Sequence, residues 1–406
     1  MTNFKNHKVS VSQLIGLIPE ALLTHLSSNT NVDYYTKVLH AKKVFYLLLY
    51  GILDNEKLSQ RTLEDTFNDS GFKVLFDLDE RETVVRSSIS ERLSKIDYHY
   101  FKEVYEFIYT TFSDYYAYSE QLKYNLIRVD STMVSEMSGK LKEGLDNKSG
   151  KKSVKYSMTF DGILPSGFEV FTQAKFSSED QALPQVIASH VLQNTNHKNI
   201  YVIDRGLQST QTMSEFSSKK IEFVARAKEN RKYEELSSLI NSNTDCDLGS
   251  LTLLKDSKVY LYTGKPIQNK KGNLHYREEI VQTPLRLIMT ESKNNREYKM
   301  AFITNNFDLT AKEITDIYKK RWDIEVFFRF IKQELNVSHL VSLNENGIKV
   351  MLYMTLIAAM LILVYKHANN LSYKTAKRRF KMEVRNLLIR EIVILSGGNP
   401  NIHFKT

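Results

Sequence analysis

The chain has 406 residues, with 56 Lys and Arg against 47 Asp and Glu, a net charge of +9 at neutral pH. That length exceeds one small core and predicts two or three domains, which an apolar fraction of 42% is enough to bury. Six prolines and 15 glycines exclude a collagen-like or low-complexity chain, and a single cysteine, Cys246, excludes an intramolecular disulfide or a cysteine-cluster metal site.

The opening residues lack the apolar stretch of a signal peptide. Residues 1–120 read as helical. After Ser10 the apolar positions Leu14, Leu17, Ile18, Leu22 and Leu26 follow the spacing of an amphipathic helix. The segments 38–53, 62–67 and 89–112 continue in that style, with basic residues interleaved. This region is either a solvated helical bundle or a DNA-end-binding domain.

The texture changes near Asn125. The β-prone run 126–130 ends in Asp130, and two more runs, 154–160 and 168–173, flank a turn containing Gly162, Pro165 and Gly167. A helix over 179–192 precedes the apolar run 199–204, which ends in Asp204 and a turn at Arg205-Gly206. A helix over 209–218 and a strand over 221–226 complete the series. The order predicts an α/β core with a mixed sheet and helices on its faces.

Residues 232–305 hold short alternating or β-branched runs and predict an all-β insertion. Helical periodicity returns at Thr310. The apolar run 350–365 falls short of the ~20 residues that cross a bilayer, and Thr355 interrupts it, so a buried helix is expected. Residues 373–406, with Lys374, Lys377, Arg378, Arg379 and Lys381, read as a basic tail. The expected organisation is therefore 1–120 helical, 121–231 first part of the core, 232–305 β-rich, 306–372 second part of the core, and 373–406 tail.

Asp130 and Asp204 share a context, a short apolar run followed by a polar turn. In open α/β sheets ligands gather at the C-terminal ends of strands. Two carboxylates meeting there share a proton or bind a cation; each taken alone reads equally as the cap of the turn that follows. The helix beyond Ile314 adds Tyr318, Arg321, Glu325 and Lys332, which fall within a stripe about 60° wide at about 100° per residue. Ile317, Ile324, Phe328, Ile331 and Leu335 form an apolar stripe about 80° away. Charges at the edge of a core need partners, and an intrahelical ion-pair ladder is the plain alternative.

An excess of positive charge favours a polyanionic partner. The lysine-rich segment 140–155 is a solvated loop or a phosphate grip, and Arg226, Lys228, Arg231 and Lys232 read as DNA contacts. The histidines show no metal-ligand spacing, and the absence of a G-x4-G-K-[ST] loop excludes P-loop ATP hydrolysis.

The stretch Tyr318-Lys319-Lys320-Arg321-Trp322-Asp323-Ile324-Glu325, followed by Lys332, resembles the Y-x2-R-x3-E-x6-K signature of IS4-type bacterial insertion-sequence transposases. Val129-Asp130-Ser131-Thr132, Val202-Ile203-Asp204-Arg205-Gly206 and Phe302-Ile303-Thr304-Asn305-Asn306 are similar to that family as well. The resemblance implies an RNase H-like mixed sheet with helices on both faces, interrupted by the all-β insertion and preceded by a helical N-terminal domain. It also implies that Asp130, Asp204 and Glu325 form the catalytic, metal-binding DDE triad, with two Mg²⁺ ions for which Mn²⁺ substitutes. Tyr318, Arg321 and Lys332 would bind phosphates beside the cut. The implied partners are double-stranded DNA, as terminal inverted repeats and as target, and a second copy of the chain in a synaptic homodimer. The implied setting is the bacterial cytoplasm and nucleoid, with no membrane.

The implied activity is cut-and-paste transposition, metal-dependent cleavage at element ends followed by strand transfer. Family members pass through a DNA hairpin, a step left open here because the one tryptophan, Trp322, lies inside the signature helix. Within the β-rich segment only tyrosines such as Tyr260, Tyr262, Tyr276 and Tyr298 offer a stacking surface. The alternatives are an RNase H-like nuclease without strand transfer and a catalytically inactive, transposon-derived DNA-binding protein.

Overall fold

The computed structural model describes residues 9–117, 124–136, 139–141, 143–146, 150–193, 198–241, 244–268, 274–295, 297 and 299–402. The first eight residues, parts of the lysine-rich segment, Tyr298 and the side chain of Tyr276 lie outside that description. Among the described residues seven helices come first: α1 (Val11–Ile15), α2 (Glu20–Thr30), α3 (Ala41–Asp54), α4 (Gln60–Asn68), α5 (Ser70–Leu75), α6 (Arg86–Lys95) and α7 (Tyr98–Ala117). Next are β1 (Asn125–Ser135), β2 (Leu145–Asp146), β3 (Lys152–Phe160), β4 (Pro165–Phe171), α8 (Glu179–Gln193), β5 (Asn199–Ile203), α9 (Thr210–Ser218) and β6 (Glu222–Ala227). The strands β7 (Tyr233–Ser238), β8 (Leu251–Gln268), β9 (Leu274–Ser292) and β10 (Lys299–Thr304) follow. The helices α10 (Ala311–Lys319), α11 (Trp322–Glu334), α12 (Glu345–Ala368) and α13 (Tyr373–Leu395) close the order.

The strands form one mixed sheet in the order β2-β3-β1-β5-β6-β10-β9-β8-β7, with β4 also paired to β3. β1, β5 and β6 run parallel, and their other neighbours are antiparallel. The apolar runs of β5 and β6 suit a strand covered on both faces. On one face Leu183 and Ile187 of α8 and Met213 and Phe216 of α9 pack with Ile127, Val129, Tyr201 and Ile203. On the other, Ile314 of α10 joins Ile200, Val224 and Phe302, and Phe327 of α11 stacks on Phe160 of β3 at 4.9 Å between ring centres.

Four local expectations meet a different arrangement. β1 runs on to Ser135 instead of stopping at Asp130, because Thr132 and Val134 keep it paired with β3 after its parallel neighbour has ended. The signature helix is two helices. At the junction the N–H groups of Lys320, Arg321, Asp323 and Ile324 reach back only three residues, the tighter 3₁₀ pattern. The strands β7–β9 share the central sheet, joined through β9 and β10. Residues 373–395, expected in a basic tail, form α13, because Ala376, Phe380 and Val384 make an apolar stripe at every fourth residue.

The N-terminal helices share one core with α11, α12 and α13. Among the described residues α12 is the one helix long and apolar enough to span a bilayer, and 89% of its apolar window is buried in the protein. It packs against α3, α6, α7 and α13.

Candidate active site

The parallel pairing of β1 with β5 ends at Val129 beside Ile203. Asp130 and Asp204 are therefore neighbours, each one residue past the last pair. Strand alternation puts Arg128 and Asp130 on the face opposite Ile127 and Val129, the face that α10 and α11 cover. Asp204 leads into a tight turn, where its carboxylate accepts from the Gly206 N–H at 3.2 Å. Asp130 accepts from the Ser131 N–H at 2.7 Å. Both residues thus cap backbone, and the charge of Asp204 is felt at Asp130.

The break between α10 and α11 delivers the third carboxylate. Arg321 lies between the two groups, with Nη1 3.8 Å from Asp130 Oδ2 and Nη2 donating to Glu325 Oε1. Among the described residues, its Nε and Nη1 are buried without a hydrogen-bond partner. The guanidinium lies 5.8 Å from the centre of the Tyr318 ring, which meets Phe302 edge-on at 5.1 Å. Lys332, two turns along α11, points its ammonium at the Met133 carbonyl, 3.5 Å away.

Asp130 is pushed up to about 7, first by burial and then by the negative charges of Asp204 and Glu179, against the pull of the Ser131 N–H and Arg321. Burial alone would lower Arg321, but the Glu325 hydrogen bond, with the charges of Tyr318, Glu325 and Asp204, leaves it raised. Tyr318 is raised by burial and by Asp204, with Arg321 and Arg226 opposing. Burial lowers Lys332. Among the described residues no three Asp, Glu, His or Cys side chains are gathered into a ready ligand set; Arg321 occupies the space between Asp130 and Glu325.

A further layer escaped sequence reasoning. Lys155, 2% exposed within β3, donates to the Ser177 carbonyl at 2.7 Å and to Glu179 Oε1 at 3.1 Å. Glu179 Oε2 accepts from Ser131 Oγ at 2.7 Å, tying the start of α8 to the residue after Asp130. Gly206 is needed here, since a Cβ would stand 2.7 Å from Glu179 Cγ. A lysine between Val154 and Tyr156 at the start of a predicted strand was the available signal. Asp180 accepts from the N–H groups of Gln208 and Ser209 at 2.6 and 2.7 Å, holding the loop that follows Asp204.

The basic residues beyond β6 diverge. Arg226 is half-buried on β6, and Lys228 is exposed just past it. Arg231 is largely withdrawn, donating to Thr210 Oγ1 at 2.6 Å and Gln208 Oε1 at 3.2 Å. Tyr260 and Tyr262 are half-buried on β8, whereas Trp322 stands 53% exposed beside Arg321.

Residues 121–361 match the family described as "Transposase DDE domain". The chain is 26% identical over 343 residues to a putative transposase for insertion sequence element IS4SA of Synechocystis, covering 84% of this chain and 85% of that one. It is 28% identical over 170 residues to a probable transposase for insertion sequence element IS5377 of Geobacillus stearothermophilus, 42% of this chain and only 40% of the other's length.

Proposed function

The chain belongs to the transposase DDE-domain family, and from that premise we propose that it cuts double-stranded DNA at insertion-sequence ends and joins them to target DNA, using Asp130, Asp204 and Glu325. The register that leaves Asp130 beside Asp204 at the end of the parallel pair is the observation that carries this reading.

Carboxylate oxygens are the donors that Mg²⁺ and Mn²⁺ prefer, and burial, with Asp204 and Glu179 adding to it, disfavours a bare carboxylate at Asp130. On both counts the residues fit a divalent cation, and Asp130, Asp204 and Glu325 would hold two. When bound, such ions activate the attacking oxygen and stabilise the leaving one in an in-line phosphoryl displacement. Arg321 is shared between Asp130 and Glu325 as they stand. Its planar fork matches a phosphate, and would be free to take one if the carboxylates held cations. Lys332 adds a point charge two turns further on, and Tyr318 offers a hydroxyl to the same strand. Arg226 and Lys228 extend the basic path along β6, and Arg231 holds the loop between Asp204 and α9. Cut-and-paste transposition needs two element ends at once, hence a homodimer in the synaptic complex.

The full-length chain with Mg²⁺ and a labelled duplex carrying the element's own ends should cut at those ends and join them to target DNA. Asp204→Ala should abolish cleavage while end affinity stays within about twofold, because phosphate binding and carboxylate chemistry use different side chains. Equal losses of binding and cleavage would remove Asp204 from the assignment. Hydrolysis of pre-cut ends without joining would turn the reading toward a nuclease, and a hairpin product on a denaturing gel would establish the excision route.

A further inference from the structure

We propose that Arg128 is a positioning residue that locks the α10–α11 break, and with it Arg321 and Glu325, over Asp130. This rests on the reading of Asp130 and Glu325 as parts of one site. Arg128 lies two residues before Asp130 on the same face of β1 and is 7% exposed. Its Nη1 donates to the carbonyls of Leu126 at 2.6 Å and Asp161 at 2.7 Å. Its Nε donates to the Lys320 carbonyl at 3.2 Å, and its Nη2 to Asp323 Oδ2 at 2.9 Å. The last two acceptors are the residues on either side of Arg321 and Trp322, at the junction of the two helices.

The surroundings are shaped for that guanidinium. Gly162 has φ +103°, and a Cβ there would stand 2.7 Å from Nη1, so the β3–β4 turn must be glycine to admit the fork. Asp161 is itself fixed, accepting from the N–H groups of Ile163 and Leu164 at 2.8 and 2.7 Å and from Tyr109 of α7 at 3.2 Å. One chain of contacts therefore runs from α7 through the β3–β4 turn to the break.

A helix junction held by three-residue bonds is a soft point, and small rotations there swing whatever lies on the next turn. Glu325 is on that next turn, two residues beyond Asp323. Misplacement by about 1 Å can cost about a hundredfold in rate. Arginine is required because its donors diverge in one plane to reach two sides of the break at once; lysine offers a single point.

The test uses the full-length chain and its only tryptophan, Trp322, which stands inside the clamped junction. Arg128→Lys and Arg128→Met should each increase acrylamide quenching of Trp322 and lower its anisotropy. Both should slow end cleavage at saturating DNA by at least about tenfold, with KM for the duplex within about twofold. Asp323→Ala removes the exposed partner, keeps the buried arginine, and should move both readouts in the same direction by less. Arg128→Met combined with Asp323→Ala should be no worse than Arg128→Met alone. Unchanged Trp322 quenching in a folded Arg128→Met protein would overturn the proposal. So would a rate loss that tracks DNA affinity, or additive effects in the double variant. If Arg128→Met does not fold, Asp323→Ala decides by the same readouts. A parent protein that never cleaves DNA would sink the reading of the site, while Trp322 would still report on the clamp.

Discussion

Asp130 and Asp204 stand on neighbouring parallel strands whose register is set by backbone pairing, whereas Glu325 stands on a helix whose entry is a junction held by side chains. The strand side is insensitive to any one side chain, because five successive backbone pairs from Asn125–Asn199 to Val129–Ile203 fix it. The helix side depends on a few buried charged groups. Arg128 ties the break to β1, and Arg286 of β9 ties the approach to α10 through the Leu309 carbonyl. The difference teaches where the site is vulnerable: its geometry should fail first at the tethers of α10 and α11.

The largest effect expected of that contrast concerns stability. Arg286 and Asp256 form a bidentate pair, with Nε and Nη2 at 2.8 and 2.6 Å from the two carboxylate oxygens, and both are almost fully buried. Asp256→Ala leaves a buried guanidinium without its counter-charge and should cost roughly 3–5 kcal/mol in urea denaturation. Replacing both with apolar residues of similar volume should recover most of that loss. A cost below about 1 kcal/mol for the single change would mean that water reaches Arg286 and that the tether is weaker than drawn.

Next comes the strand side, probed by pH. Asp130 is raised from its usual 3.8 to about 7, first by burial and then by Asp204. A carboxyl raised on folding stabilises the native state fully below its unfolded pKa and loses that contribution as pH climbs to the folded one. For Asp130 the window is about pH 4 to 7. Asp130→Asn, which cannot ionise, should match the parent near pH 4 and exceed it by up to about 4 kcal/mol at pH 8, in chelator. Added Mg²⁺ should raise the melting temperature of the parent at pH 8 and leave the variant almost unmoved. A difference that does not vary with pH would mean that the Asp130 carboxyl is not held in this strained state.

The same contrast explains what could be read from the chain alone. The run that became β5 was legible because a strand buried on both faces is simply apolar, those of β1 and β6 because apolar residues outnumber the charged ones in them, and the aspartates mark where the first two runs end. The break at Lys320-Arg321 was not, since a junction closed by three-residue bonds leaves the apolar spacing of Ile317, Ile324 and Phe328 nearly undisturbed. Arg128 and Asp323 are 195 residues apart, and no local pattern links them. Basic composition hid the apolar stripe of α13. Lys155 fell both at the end of the lysine-rich segment and in the predicted strand 154–160, and only its burial in β3 decides between them. Backbone-determined features were visible; partners chosen by tertiary packing were not.

The smallest expected effect separates two residues that sequence treated alike. Lys228 is exposed beyond β6, whereas Arg231 spends its donors on Thr210 and Gln208. A lysine that neutralises one phosphate contributes to affinity through counterion release, so Lys228→Ala should lower the slope of log affinity against log salt by about 1. Its melting temperature should not change. Arg231→Ala should do the reverse, because it removes hydrogen bonds worth about 1 kcal/mol each from the loop that carries Asp204 to α9, while its cation is turned away from solvent. Salt titrations of end-duplex binding, run beside thermal melts, read both quantities on the same samples. If Arg231→Ala instead takes a full charge off the salt slope and melts with the parent, its side chain leaves Thr210 for the phosphate backbone when DNA is bound. The loop beyond Asp204 would then be held, like the helix side, by contacts that DNA itself can break.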